Sequence, residues 1–572
     1  MHSSRLAAIF ILLLVPSVHA QEFEFSWDQA TTYRIVTDRF SNGDSSNDFA
    51  YGRGLDGNGN SYETDSTGHF LGGDFAGITG WIEDGYFADL GINVLRLSAP
   101  YEQVHGWVGG GDGDFQQYAY DGMWPLDFTE SDRAFGSKAD FQLLVDTAHA
   151  HGMRVVVDVN LSYVGPATMH DMAAFGFGGL TSDGWRSWTP SSRVGWQSYQ
   201  REYVTYTDSL DSWSRWWGSE WVKAGIAGYE SCASKEGSTC NDILPALRSD
   251  VDVSQIPHFL QLKWGEEKAS AQAVELESFF DRTGARRSAA NHVVKWMTDW
   301  VGEFGIDGFH LSEADQVDPS VSSFLKQEAT AALARWKSAN LQKSLDDREF
   351  WMTGSSSVTD SQSSLYGFDA VHRQVKSVAA DNEMSTYFED LVARAGEEAT
   401  SYVTHLSADD ASLFDRMSLQ DAGTKFLLAP GAVSIFYGDE SARRPGSDVS
   451  DPSHAANSFM NWADADEEIL SHWQKIGAFR AAHPAVATGG YDMVQESPYA
   501  FHRGMRQGAD TDQVVIVLGA EGKTRVKVSI VWPDDTILRD AYTGNVSIVS
   551  FGQVTFDAAP SGLMLLEEMP ME

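Results

Sequence analysis

The sequence predicts an α/β protein: a closed (β/α)8 barrel with an inserted subdomain after its third strand and an antiparallel β domain at its C-terminal end. Three observations predict it. From about residue 30 to 440, short β-branched runs that are apolar on both faces alternate with amphipathic helices, as in a buried parallel sheet. The third run is followed by a long stretch, from Tyr163 to about Ala290, that lacks this periodicity, which argues for an insertion. After His483-Pro484 the helical pattern gives way to alternating runs separated by Asp, Gly and Asn turns.

Taken in order, residues 1–20 have the form of an export signal. Arg5 supplies the positive charge, Leu6 to Val15 an apolar run too short to span a bilayer, and Val18-His19-Ala20 the small residues at a cleavage site. Eight strands are expected at 32–40, 93–98, 154–161, 308–312, 350–354, 368–372, 401–407 and 433–437. One intervening helix is easy to read: Ser137 caps it, Phe141, Leu144, Val145 and Ala148 form its apolar face, and Gly152 ends it. The long stretch is rich in tryptophan, including Trp185, Trp188, Trp196, Trp213, Trp216, Trp217 and Trp221. These rings either stack on sugars or pack the insert's own core, and the second reading is favoured. Strands at 514–518, 525–531 and 546–554 make the last domain. The expected division is 1–20 signal peptide, 21–162 with 290–482 barrel, 163–289 insert and 483–572 β domain.

Composition bounds function. With 42% hydrophobic residues the chain can bury a large core. A formal net charge of −40, spread along the chain, repels nucleic acid and anionic lipid, so neither is expected as a partner. No later run is long and apolar enough for membrane insertion, and the mature protein is expected outside the cytoplasm, periplasmic or secreted. The two cysteines, Cys232 and Cys240, fit a disulfide closing a short loop once the chain is exported, since no ligand-spaced partners suggest a metal for them.

Several segments together resemble glycoside hydrolase family 13, the α-amylase family. They are Thr37-Asp38-Arg39-Phe40-Ser41-Asn42-Gly43-Asp44, Gly72-Gly73-Asp74, Val155-Val156-Val157-Asp158, Gly305-Ile306-Asp307-Gly308-Phe309, and Ala429-Pro430-Gly431-Ala432-Val433 leading into Phe436-Tyr437-Gly438-Asp439-Glu440. His105-Gly106-Trp107, Phe350-Trp351-Met352-Thr353-Gly354, Met460-Asn461-Trp462 and His472-Trp473-Gln474-Lys475 are similar to the periplasmic branch found in enteric bacteria. The resemblance runs in order from about residue 25 to 500. It implies a TIM barrel, a subdomain after the third strand, a C-terminal β-sandwich and α-glucan chemistry.

That chemistry needs a nucleophilic carboxylate and a general-acid carboxyl about 5–5.5 Å apart, and the family adds a third carboxylate that holds the sugar hydroxyls. The family's Gly-Phe-Arg-x-Asp is Gly308-Phe309-His310-Leu311-Ser312 here, so the nucleophile position is Ser312 and the arginine position His310. Its Thr-Gly-Glu is Thr353-Gly354-Ser355, so the acid position is Ser355. Its His-Asp pair is Asp409-Asp410, leaving Asp410 as the retained carboxylate. Among sugar-contacting positions, the resemblance puts Tyr163 in place of a histidine, Asp121 in place of another and Met123 in place of a stacking tyrosine. Glu313 is expected not to substitute for the nucleophile, because successive strand residues point to opposite faces. A serine hydroxyl is neither ionised near neutral pH nor a good proton donor to a leaving alkoxide, and general acid help alone is worth about 10²–10⁴ in rate. Hydrolysis is therefore expected to be absent or vestigial. The residual Ser312, His310 and Asp410 form a Ser/His/Asp inventory at a barrel mouth, but nothing in the sequence supplies an oxyanion hole, and drift is the favoured reading.

Asn42, Asp44, Asn47, Asp48, Gly72 and Asp74 match an oxygen-rich calcium site of related amylases and cyclodextrin-forming enzymes. Calcium takes about 6–8 oxygen ligands, and the set supplies that many candidates; the other reading is an ordinary Asx-turn cluster. Three functional readings remain: a non-catalytic protein that binds α-glucan or a partner, an active amylase with unusual residues, and a structural or partner-binding protein without glycan affinity.

Overall fold

The computed structural model describes residues 23–55, 68–110, 115–187, 200, 202–205, 211–223, 244–355, 360–375, 386, 401–408, 413–446 and 452–569. Eight parallel strands close into a barrel: β1 Thr31–Ile35, β2 Val94–Leu97, β3 Arg154–Val159, β4 Gly308–Leu311, β5 Trp351–Gly354, β6 Ala370–Gln374, β7 Ser401–His405 and β8 Ala432–Phe436. Each pairs with its chain neighbours, and β8 returns to β1 with Thr32 opposite Ser434. All eight expected runs overlap a barrel strand.

The first run is shorter than its pattern suggests. Residues 32–40 read as one strand, but β1 stops at Ile35 and Thr37–Phe40 is a helical turn. Side-chain bonding turns the chain there. Ser98 Oγ accepts from the Thr37 amide at 3.0 Å, and the Asp38 carboxylate accepts from the amides of Leu71 and Gly72. Four consecutive residues, Thr37 to Phe40, are thereby buried, which made the run look like a doubly covered strand.

The N-terminal end of the barrel is closed by an apolar layer containing Val94, Val156, Trp351, Val403 and Ala432, with Trp27 stacked on Trp351 at 4.6 Å. Above it lies a charged layer. Asp158 on β3 accepts from Arg34 on β1 and Arg96 on β2, each at 2.7 Å. Barrel interiors are filled by side chains, so such charges persist only because they are paired.

The helix predicted after Ser137 spans Lys138–Ala150, with Ser137 and Asp140 capping each other and Phe141, Leu144, Val145 and Ala148 buried. Helices Ala289–Phe304 and Pro319–Ala339 flank β4 and pack together. Between β3 and the first of these come the short helix Met169–Phe175 and a long one, His258–Thr283, bent at Gly265. Trp185, Trp213, Trp216, Trp217 and Trp221 are all buried, Trp216 stacking on Phe177 at 4.3 Å, so these rings form core. Trp188 and Trp196 lie outside the described residues.

The C-terminal strands are β9 Gly490–Gln495, β10 Tyr499–Gln507, β11 Asp510–Leu518, β12 Lys523–Lys527, β13 Ile537–Asp540, β14 Val546–Ile548, β15 Gln553–Asp557 and β16 Met564–Glu568. Six form an antiparallel sheet in the order β9-β10-β11-β16-β13-β14, and β12 pairs with β15. Val515, Val517 and Leu566 of the larger sheet share one core with Val526, Val554 and Phe556 of the smaller, as in a sandwich. The run 546–554 is two strands, split by a turn with positive φ at Phe551 and Gly552. His483 fastens this domain to the end of helix Glu467–Ala482, bonding Asp512 at 2.7 Å and Glu567 at 2.6 Å. Among the described residues, no helix is long and apolar enough to cross a membrane.

Candidate functional site

In barrels of this type chemistry belongs at the C-terminal ends of the strands. β4 ends at Leu311, and Ser312 follows, half-buried, its amide donating to Val159 O at 3.1 Å. β5 ends at Gly354, and Ser355 follows, its amide donating to Leu311 O at 3.3 Å. Both serines therefore leave their strands at the mouth, Ser312 tied to the backbone of β3 and Ser355 to that of β4. Asp409 and Asp410 lie outside the described residues, as do Cys232 and Cys240.

His310 points inward. Its Nδ1 bonds Thr353 Oγ1 of β5 at 2.9 Å, and its ring meets His372 of β6 edge-on at 4.5 Å; His405 of β7 continues the row at 5.9 Å from His372. Burial, followed by the Arg96 guanidinium, holds His310 and His372 well below the usual imidazole range. They are neutral near pH 7. A position where an arginine would present a fixed cation to a carboxylate holds an uncharged ring bonded to a threonine. His310 Nδ1 is taken by Thr353, and among the described residues no hydrogen bond joins the ring to Ser312.

The other positions expected to contact sugar lie on different loops. Tyr163 is buried after β3, bridging to Ala246 in the insert. Asp121 and Met123 are half-buried in one turn, with Asp121 Oδ1 accepting from the Met123 amide at 3.1 Å. Asn160 reaches the Met123 carbonyl at 3.4 Å and accepts from Ser162 Oγ at 2.7 Å. Ser162 is thus tied back to its own loop.

Glu313 departs from expectation. The alternation of strand faces fails at this position, because the strand ends two residues earlier and Glu313 takes a left-handed backbone, φ 46° and ψ 42°. Its carboxylate turns to the mouth and accepts from Tyr163 Oη at 3.5 Å, with Gln316 Nε2 on the other oxygen at 3.0 Å. Burial and the neighbouring Asp315 push the carboxyl upward. The only sequence signal would have been the strand end itself.

The residues of the expected calcium site come together. Asp74 accepts from the amides of Gly43, Asp44 and Gly77 at 3.0, 2.8 and 2.7 Å, and from Asn47 Nδ2 at 3.2 Å. Asn42 Nδ2 donates to Asp48 Oδ1 at 2.8 Å. Gly72 has φ +90°, and a Cβ there would lie 2.5 Å from Asn42 Nδ2 and 2.7 Å from Asp48 Oδ1, so only glycine lets the backbone approach this cluster. The donor set fits a hard cation. Asn47 Oδ1 is buried without a partner among the described residues, and burial, aided by the charges of Asp74 and Asp44, pushes the Asp48 carboxyl up.

Comparison with known proteins agrees with this layout. A family model described as the alpha amylase catalytic domain matches residues 34–170. The chain is 36% identical over 519 residues to the periplasmic alpha-amylase of Escherichia coli K12, covering 85% of this chain and 73% of that protein. A cyclomaltodextrin glucanotransferase of Paenibacillus macerans is 35% identical over 165 residues, 28% of this chain and 22% of that one. Among solved structures, an Anoxybacillus alpha-amylase matches with a TM-score of 0.55 at 18% identity, covering 96% of this chain and all of that one. The alpha-amylase of Geobacillus thermoleovorans, solved with acarbose, matches at 0.56 and 17%, with the same coverage. At those identities the likeness is one of fold.

Proposed function

The chain belongs to the α-amylase family, glycoside hydrolase family 13, and on that premise we propose that it is a protein of α-glucan metabolism that has lost the hydrolytic step and acts by binding glycan or a partner. One observation carries this reading: serines, and not carboxylic residues, stand where β4 and β5 open into the mouth. Neither can form the glycosyl ester of a retaining mechanism or protonate the departing oxygen. The neutral His310 removes the cation that a nucleophile would need beside it. The test is a calorimetric titration with maltoheptaose in which the same sample is assayed for reducing ends. Heat without product supports the proposal; product in an ordinary amylase's range overturns it; neither heat nor product moves the protein to the partner-binding reading without glycan affinity.

Glu313 favours a second reading, an enzyme with a displaced carboxylate. Its half-buried carboxyl is raised by burial and Asp315, the direction a general acid needs. Asp410 would be its retained companion. In that case Glu313→Gln and Asp410→Ala each abolish product release.

Calcium at Asn42, Asp44, Asn47, Asp48, Gly72 and Asp74 is part of the proposal, with a structural role of tying the loop after β1 to the barrel. Export to the periplasm or medium is also proposed. The signal-like residues 1–20 support it, as does identity to a relative described as periplasmic.

A further inference from the structure

The loop after β2 and the first helix of the insertion meet in a cluster that neither the calcium loop nor the mouth uses. His105, His170 and Asp171 each offer one ligand atom, and these atoms all lie within 4.8 Å of one another. His105 Nδ1 is 3.6 Å from Asp171 Oδ1. We propose that these three side chains form a zinc-type transition-metal site that clips the loop after β2 to helix Met169–Phe175.

Four features support it. The donor set is two imidazoles and one carboxylate, which suits zinc and disfavours calcium or magnesium, the ions of all-oxygen sites. His105 is already oriented as a ligand, because its Nε2 bonds Glu102 Oε1 at 2.7 Å and leaves Nδ1 facing Asp171. Zinc-binding histidines characteristically have such a carboxylate on the far nitrogen. Glu102 is fixed in turn by Lys263 at 2.6 Å, and Tyr51 stacks on the His105 ring at 3.9 Å, so little side-chain freedom remains to be lost on binding. Finally, His170 Nδ1 is a buried atom without a hydrogen-bond partner among the described residues. A metal bound through this nitrogen would remove an otherwise costly loss of hydration.

The fit is close. Metal–ligand distances of about 2.0–2.1 Å put the donors of a tetrahedral zinc roughly 3.3 Å apart. The His105 and Asp171 pair is nearly at that spacing, and closure calls for a rotation of His170, which is half-buried. Asp171 keeps the carboxylate in place by accepting from Thr168 Oγ1 at 2.5 Å and from the His105 amide at 3.2 Å. With three protein ligands, water would complete the shell.

The site does not depend on glycan binding or catalysis, so its test does not either. Metal-stripped mature protein, held in saturating calcium, would be titrated with zinc chloride and its metal content measured after dialysis. The expected result is one zinc per chain, with affinity reduced at least 100-fold in His170→Ala and about 10–100-fold in Glu102→Gln, the effect of losing a supporting carboxylate. Cobalt should give the intense visible bands of a tetrahedral centre in the parent and lose them in His170→Ala. Near-ultraviolet circular dichroism checks that the variants are folded; should His170→Ala fail to fold, Glu102→Gln and the cobalt spectrum of the parent carry the test. Failure of the parent to retain zinc, an octahedral cobalt spectrum, or equal retention by folded His170→Ala would overturn the proposal.

Discussion

The loop after β1 and the mouth after β4 and β5 both belong to the chemistry of this family, yet they differ in what their side chains do for the fold. In the loop, two buried polar residues hold backbone. Asp74 caps its helix while accepting from three other donors, and Arg53 makes a fully buried two-pronged contact with Asp132 at 2.7 and 2.8 Å and bonds the carbonyls of Gln103 and Val104. At the mouth, Ser312 and Ser355 are joined to the barrel chiefly through their main-chain amides, and the one side-chain bond given there, from the Ala314 amide to Ser355 Oγ, is long at 3.5 Å. Side chains that satisfy buried backbone are retained by stability itself. Side chains that meet only substrate are retained by activity, and can change without disturbing the barrel.

The largest test of this contrast is kinetic. Ser312→Asp combined with Ser355→Glu should leave the melting temperature almost unchanged and raise maltodextrin hydrolysis by roughly 10²-fold or more over the parent, the lower range for a restored general acid. If the double variant unfolds, the mouth is a structural region after all. Next comes the loop. Asp132→Ala would strand the buried Arg53 charge, and denaturant unfolding should show a loss of about 3–5 kcal/mol, the usual result of breaking a buried pair from one side. By the same measurement Ser355→Ala should change stability by less than about 0.5 kcal/mol.

A smaller effect is expected at Asp74. Removing a cap costs about 1 kcal/mol, and Asp74→Ala should lose in addition the thermal stabilisation that calcium gives the parent. A calcium response that survives Asp74→Ala would detach the ion from this loop. A pH-dependent effect is expected at the junction with the C-terminal domain. Burial opposes protonation of His483, but its bonds to Asp512 and Glu567 prevail and raise it to about 9. With an unfolded-state value near 6.5, the imidazolium's contribution is complete below about pH 6.5 and is lost as pH rises through about 9. His483→Gln should flatten that part of the stability profile, and an unchanged slope would remove the junction from the comparison.

Much of this architecture was legible along the chain. The eight doubly apolar runs, the capped helix after Ser137 and the alternating strands after His483 are local patterns set by burial on one or two faces. The flanking motifs are equally readable, and they place residues 310, 312 and 355 at the ends of β4 and β5. Two local patterns mislead for one reason: residues 32–40 read as a single strand, and Glu313 as facing away from its neighbour Ser312, only if strand geometry continues, and in both places it stops. Strand ends are set by long-range bonds, such as those of Ser98 to Thr37, and leave little local trace.

By itself, then, the sequence determined the order of elements, the acidic charge and which residues follow β4 and β5, since these depend on residue identity and on spacing within a segment. Tertiary structure alone decided that Glu313 faces Tyr163, that the imidazoles of β4, β6 and β7 line up in a row, and that His105 meets His170 and Asp171 across more than sixty residues of chain. Those relations depend on distances between side chains from separate strands and loops, which are fixed only when the barrel closes and the insertion docks upon it.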